Sequence, residues 1–167
     1  MPDTFVKIAS VSLTSSQASI EFTGISGSYT DLCVKASLRA TNDNTDGNVT
    51  FNGLTTNLSS RQLYGSGTVA GSSNSASKIL SYGLADASSY TASTFSSVEI
   101  YVPNYSGSSY KSVSIDSVVE NNATATFATL IAGLWSSTSA ITQVTLKADT
   151  GNLAAYSTAT LYGIKSS

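Results

Sequence analysis

Apolar and polar residues alternate along most of this chain with the period of two that sends successive side chains to opposite faces of a β-strand. The clearest case runs from Phe95 to Asn122. Val98, Ile100 and Val102 alternate with Glu99 and Tyr101, Pro103 closes the run, and Val113, Ile115 and Val119 resume it after Asn104 to Ser109. This pattern predicts a hairpin, with Gly107 supplying the positive φ of its turn. Phe5, Val6, Ile8, Val11 and Leu13 predict an opening strand, and Ala18, Ile20 and Phe22 a second. Leu32, Val34, Ala36 and Leu38, set against Cys33, Lys35, Ser37 and Arg39, predict a third with one wet face.

Further along the signals are less even. Thr41 to Asn48 is turn-forming at nearly every residue, and with Val49 to Phe51 and the Asn52-Gly53 dipeptide it predicts another hairpin. Leu58 to Tyr64 is a weaker strand, Gly65 to Ser77 reads as a long mobile loop, and Ile79 to Leu84 resumes strand character before a serine-rich connection to Thr94. Ala123 to Trp135 is apolar on both faces, with Leu130, Ala132 and Leu134 on one and Phe127, Ile131 and Trp135 on the other. It reads as a strand that is interior or meets a partner, although the spacing of Phe127, Leu130, Ile131 and Leu134 also admits a short helix. Ile141 to Ala148, a turn at Asp149 to Asn152, and Tyr156 to Ile164 complete the pattern.

Roughly eight to ten short strands with no long helix predict an all-β fold, best matched by a single-domain antiparallel β-sandwich of jelly-roll type. An immunoglobulin-like sandwich is the alternative, though its Cys, Trp and Cys spacing is missing. Residues 1–30 read as N-terminal strands that would serve as an attachment arm, and residues 31–167 as the jelly-roll body.

Composition narrows the function classes. Charged residues are 11% of the 167 positions, while Ser and Thr supply roughly a third, so the surface is hydroxylated rather than charged. The net charge is -2 and the eight Lys and Arg are scattered, which leaves no basic stripe for nucleic acid. No segment is long and apolar enough for a membrane span, and the N-terminus lacks the charged and apolar regions of a leader, so the chain is expected to be made and kept in a cytoplasm or in something assembled there. Cys33 is the only cysteine and reads as an inert strand residue.

The sequence contains no histidine, which removes the commonest general base and the main transition-metal ligand. Glycoside cleavage needs only two carboxyl groups, and Glu99, Asp116 and Glu120 on the predicted hairpin are the candidates. The plainer reading is surface carboxylates with Lys111 as counter-charge. Asn42, Asn44 and Asp46 precede Gly47 as in an oxygen-ligand calcium loop, but Gly53 stands where the bidentate Glu belongs, and an Asx-rich turn is the better reading. Tyr101, Tyr105 and Tyr110 gather at the hairpin tip, where they suit a sugar platform or a protein interface; strands also favour Tyr for its own sake.

The segments VEIYVPNYSGSSYKSVSIDSVVENNATATFATLIAGLW and STATLYGI, with Asp31-Leu-Cys-Val and Ser59-Ser-Arg-Gln-Leu-Tyr-Gly, resemble a family of short all-β virion proteins of tailed bacteriophages, including cyanophages. The resemblance implies a virion structural role, that of a capsid decoration or cement protein on the outer head surface. Its expected partners are the major capsid protein and further copies of itself, a homotrimer being favoured, with no nucleic acid, membrane, cofactor, metal or catalytic residue. Tyr101, Tyr105, Tyr110, Phe127, Ile131 and Trp135 are the expected interface residues. A tail- or fibre-associated receptor or glycan-binding module using the tyrosines is the alternative.

Overall fold

The alternating segments all become strands, and every ladder between them is antiparallel. The computed structural model describes residues 4–122 and 126–165; residues 123–125, the start of the doubly apolar run, lie outside the described residues, as do 1–3 of the expected arm. The strands are β1 (Phe5–Ser12), β2 (Ile20–Thr23), β3 (Asp31–Ser37), β4 (Gly47–Phe51), β5 (Leu58–Gly65), β6 (Ala70–Ser75), β7 (Ile79–Ser81), β8 (Ser97–Val102), β9 (Lys111–Val119), β10 (Phe127–Trp135), β11 (Gln143–Ala148) and β12 (Thr158–Ile164).

Eight of them divide equally between two layers, which places β1-β12-β3-β8 opposite β2-β11-β4-β7. Numbered among themselves, these strands have the order of an eight-stranded jelly roll, in which every connection but that from β4 to β7 crosses from one sheet to the other. Two hairpins are added to it. β9 and β10 follow β8, β5 and β6 follow β4, and all four extend the same edge to give an eight-stranded sheet β1-β12-β3-β8-β9-β10-β5-β6. β1 and β2 are thus members of the sandwich itself, β1 paired along its length with β12.

The inward residues of the alternation form the core, including Ile20, Phe22, Leu32, Val34, Val49, Phe51, Ile100, Ile115, Ile131, Val144, Leu146 and Leu161. Trp135 is fully buried and packs on Phe51 with ring centroids 5.7 Å apart. Gly133 faces β7 closely: a Cβ there would stand 3.0 Å from the Ile79 side chain, so a glycine allows the added hairpin to lie down on the smaller sheet. β7 is held there by side chains. Ser60 Oγ donates to the Lys78 carbonyl at 3.1 Å and accepts from Leu80 N–H at 3.2 Å, and Gln62 Oε1 accepts from Tyr82 N–H at 3.1 Å.

Three expectations are corrected. The serine-rich stretch after Gly65 is not one long loop, because Ala70–Ser75 pairs with β5 through a tight turn closed by Ser66 N–H to the Val69 carbonyl at 2.8 Å. Thr41 to Phe51 is not a hairpin, since β3 and β4 lie in different sheets. The Asn52-Gly53 pair does take positive φ at both residues, but it closes only a single bridge between Phe51 and Leu54. In the β8–β9 turn Asn104, not Gly107, takes the positive φ, its short polar side chain tolerating the left-handed region.

The connection between β7 and β8 is organised by Arg39. Its guanidinium donates to the carbonyls of Ser88 (3.1 Å), Tyr90 (3.1 Å), Thr91 (3.0 Å) and Thr94 (2.8 Å). Leu84, Ala85, Asp86 and Ala87 are fully buried beside it. Burial pushes the Asp86 carboxyl above its ordinary range, against the pull of Thr94 and Arg39.

Candidate functional site

The three tyrosines of the β8–β9 hairpin do not share a platform. Tyr105 is fully buried, its hydroxyl donating to the Ser26 carbonyl and accepting from Tyr29 N–H at 3.4 Å. Tyr101 lies on the outer face and donates to Asp31 Oδ2 at 2.8 Å, while Asp31 Oδ1 accepts from Asn104 N–H at 2.8 Å. Only Tyr110 is open, at 59% exposure. Tyr105 is interior because the turn after Pro103 folds back over the end of the sandwich, where Ile141 N–H donates to the Tyr105 carbonyl at 3.0 Å. Lys111 is buried as well, with its ammonium on the carbonyls of Gly107 (2.7 Å) and Ser109 (2.6 Å), so it is a cap for the turn and not a counter-charge for the carboxylates.

β10 is a strand with two unlike faces. Ile131 and Trp135 point into the core and Phe127 is half-buried, so the doubly apolar pattern splits into an interior face and an outward one. The helix alternative is excluded by ladders on both sides, to β9 and to β5. Outward lie Ala128, Leu130, Ala132 and Leu134. Leu130 (57% exposed) stands between Leu63 (63%) on β5 and Asp116 on β9, and Ala128 stands beside Val118 (41%). Ser59, Ser72, Asn74, Ser112 and Ser114 fill the rest of this face, with Arg61 beside Ala132. The result is a broad, shallow, hydroxylated surface with a short apolar stripe, indented by grooves of about 350 Å³ at Arg61, Leu63, Ser72 and Leu130 and about 390 Å³ at Tyr101, Pro103, Ser114 and Leu130.

The candidate carboxylates sit on a flat face or at its margin. Glu99 and Asp116 are opposed across β8 and β9, Glu99 is ion-paired with Lys35 in the open, and Glu120 accepts from Asn122 N–H at 2.8 Å beyond the end of β9. None of the three lines either of these two grooves. Cys33 is buried on the same outer face between its strand neighbours Tyr101 and Tyr162, and burial pushes its thiol up.

The Asn42 to Gly47 run forms an Asx turn, with Asp46 N–H donating to Asn44 Oδ1 at 2.8 Å and Asn42 Nδ2 donating to Thr150 at 2.6 Å. Among the described residues no group of three His, Cys, Asp or Glu is placed to hold a metal ion. Asp46 lies across from Asp149, whose carboxylate accepts from Asn48 (2.5 Å) and Lys78 (2.6 Å) and is held below the usual range by them. Asp46 has no such donors among the described residues; burial and then the Asp149 charge push it up to about 6. Beside this pair, Asn48, Thr50, Thr55, Ser77, Lys78 and Lys147 line a groove of about 310 Å³ on the smaller sheet.

One aromatic cluster has no local signal in the sequence. Tyr64 and Tyr82 meet edge to face at 5.3 Å and Phe127 joins them at 6.3 and 6.4 Å, around an open depression of about 430 Å³ that Asp46, Ser66 and Val69 complete. These rings come from the end of β5, the residue after β7 and the start of β10, so the pairing of β5 with β10 and the packing of the smaller sheet on them bring them together.

The class of molecule defined by these observations is an all-β jelly-roll sandwich with an enlarged, weakly charged outer sheet. Comparison of the chain with protein-family models, with curated proteins and with solved structures finds no match. Among the described residues no helix is long and apolar enough to cross a membrane.

Proposed function

We propose that this chain is a virion structural protein of a tailed bacteriophage, a decoration or cement protein that binds the major capsid protein on the outer head surface and works by contact rather than turnover. The observation that carries this reading is the enlargement of one jelly-roll sheet from four strands to eight by two hairpins. A protein that bridges shell subunits against internal pressure needs a stiff slab with a wide, shallow contact face, and specific interfaces take about 800 Å² per partner. A sheet of eight strands spaced about 4.8 Å apart and about 20 Å long offers an area of that order. The weak surface charge fits a face that ends up covered, and the segments resembling virion proteins include β5, β8, β9, β10 and β12.

The test is to assemble shells with and without the purified protein and to heat them. Bound protein visible on the head exterior and a raised disruption temperature are expected; no binding, or binding with no change in disruption temperature, would sink the reading. The aromatic depression at Tyr64, Tyr82 and Phe127 supports a second reading, a tail- or fibre-associated glycan-binding module, because ring edges and hydroxyls beside a carboxylate suit a sugar. Glycan-array binding that disappears in Tyr82→Ala would favour it over the first.

A further inference from the structure

A strand at the end of a sheet presents N–H and C=O groups that its own sheet leaves unpaired, and proteins block such edges with charge, brevity, bulges or covering groups. The two sheets here end at β1 and β6 and at β2 and β7. Three of these ends are blocked. β1 carries Lys7 and a register break between Lys7 and Ala9. β2 is four residues long and carries Glu21. β7 is three residues long and is stapled by Ser60 and Gln62. β6, Ala-Gly-Ser-Ser-Asn-Ser, has six residues in unbroken register with β5, without charge or proline.

The turn defines which of its groups are free. Ser66 N–H bonds to the Val69 carbonyl, so pairing alternates from there and directs the amides and carbonyls of Gly71, Ser73 and Ser75 toward β5. Those of Ala70, Ser72 and Asn74 point away from the sheet and have no protein partner among the described residues. Their side chains also face outward, beside Gly65, Leu63 and Arg61.

We propose that β6 is where two copies of this chain join, edge to edge and antiparallel about a two-fold axis at Ser72, so that two eight-stranded sheets become one. The occupant is a second copy because the edge is its own complement. In the register that sets Ser72 against Ser72 and Ala70 against Asn74, every free donor of one copy meets a free acceptor of the other; shifting by one pair leaves an end unpaired. The side chains that meet are small and uncharged. Arg61, exposed and without an ion pair among the described residues, is paired with Asn74 and so falls in the same cross-strand row as Ala70 and Gly65 of the second copy, where a Cβ on Gly65 would find nothing within 4 Å. An isologous joint closes on two copies, so the solution species is a dimer, and the trimer implied by the sequence resemblance would need another surface.

The test follows the full-length protein by sedimentation and by amide exchange as concentration rises. A reversible monomer–dimer equilibrium is expected, with the amides of Ala70, Ser72 and Asn74 slowed by roughly an order of magnitude or more as dimer forms, while Gly71 and Ser73 are protected throughout. Ser72→Pro removes one outward N–H without touching a bond to β5, and Ser72→Lys sets two like charges against each other at the axis. Both are expected to be monomeric, with the melting behaviour of the wild-type monomer; if the proline variant fails to fold, the lysine variant decides. A dimer that survives Ser72→Lys, a trimer in which the three amides exchange freely, or a monomer at every concentration would overturn the proposal. A dimer that leaves heated shells unprotected would keep this joint and remove the cement reading.

Discussion

Replacing Arg39 by Met keeps the stem and removes the guanidinium that gathers the loop between β7 and β8. Four carbonyls lose a charged donor, those of Ser88, Tyr90, Thr91 and Thr94. The bonds to Ser88 and Thr91 are in the open, where water replaces the lost partner; those to Tyr90 and Thr94 are partly buried. At about 1–2 kcal/mol for each partly buried carbonyl left without its partner, the loss comes to about 2–4 kcal/mol. That corresponds to a fall in melting temperature of roughly 5–15 °C for a domain of this size. The buried Asp86 carboxyl adds a pH dependence: without Arg39 its charged form is harder to bury, so its folded-state pKa rises further above the unfolded value. A raised acid pKa gives stability that is full below the unfolded value and is lost as pH rises through the folded one, so the gap between variant and wild type should narrow toward pH of about 4. The control is Lys35→Met, which removes an exposed ion pair with Glu99 and should cost about 0–1 kcal/mol. Urea unfolding of both variants, with limited proteolysis across residues 88–94, measures the difference. Equal losses in the two variants, or an intact loop in Arg39→Met, would refute the claim that this one side chain organises the connection.

Asp46→Asn should stabilise the protein at neutral pH by about 1 kcal/mol, discounted for its partial exposure, because a carboxyl pushed up to about 6 withdraws stability as pH rises from about 4 through that value; stability-against-pH curves of variant and wild type should converge in acid. Gly133→Ala should cost about 1–3 kcal/mol by pressing a methyl on Ile79, and Ile79→Val should recover part of that in a double-mutant cycle. Tyr105→Phe should cost about 1–2 kcal/mol in chemical denaturation, since it strands the Ser26 carbonyl and the Tyr29 amide, and should leave any glycan binding untouched.

The class of fold was legible because it rests on a local property. Period-two alternation survives in β2, β3, β8, β9 and β12, whose inward residues are the core now seen. β6 was not legible for the opposite reason: with Ala, Gly, Ser and Asn on both faces it buries almost nothing, and it is a strand because β5 offers it a ladder. The same limit applies to site residues. Tyr105 and Tyr110 sit five positions apart in a turn, and whether a ring faces solvent or core depends on how that turn folds over the end of the sandwich. Lys111 read as a surface charge because lysine usually is one; here the carbonyls of its own turn receive it. The aromatic trio depends on β5 and β10 pairing in one sheet and the end of β7 packing on them from the other, which no spacing encodes.

The pairing of β1 with β12 has a kinetic consequence. Ser10 and Thr160 hydrogen-bond across 150 positions of chain, and β12 also supplies the neighbour that β3 needs on that side. A chain emerging in one direction from a ribosome must therefore hold β1 unmatched until the 150 positions that separate Ser10 from Thr160 have been made, and contacts of such long range are slow to close. Lys7 and the irregular register in β1 would keep that waiting strand from adhering to a neighbouring nascent chain, so sequence features that look like blemishes in the finished sheet would act as safeguards during synthesis.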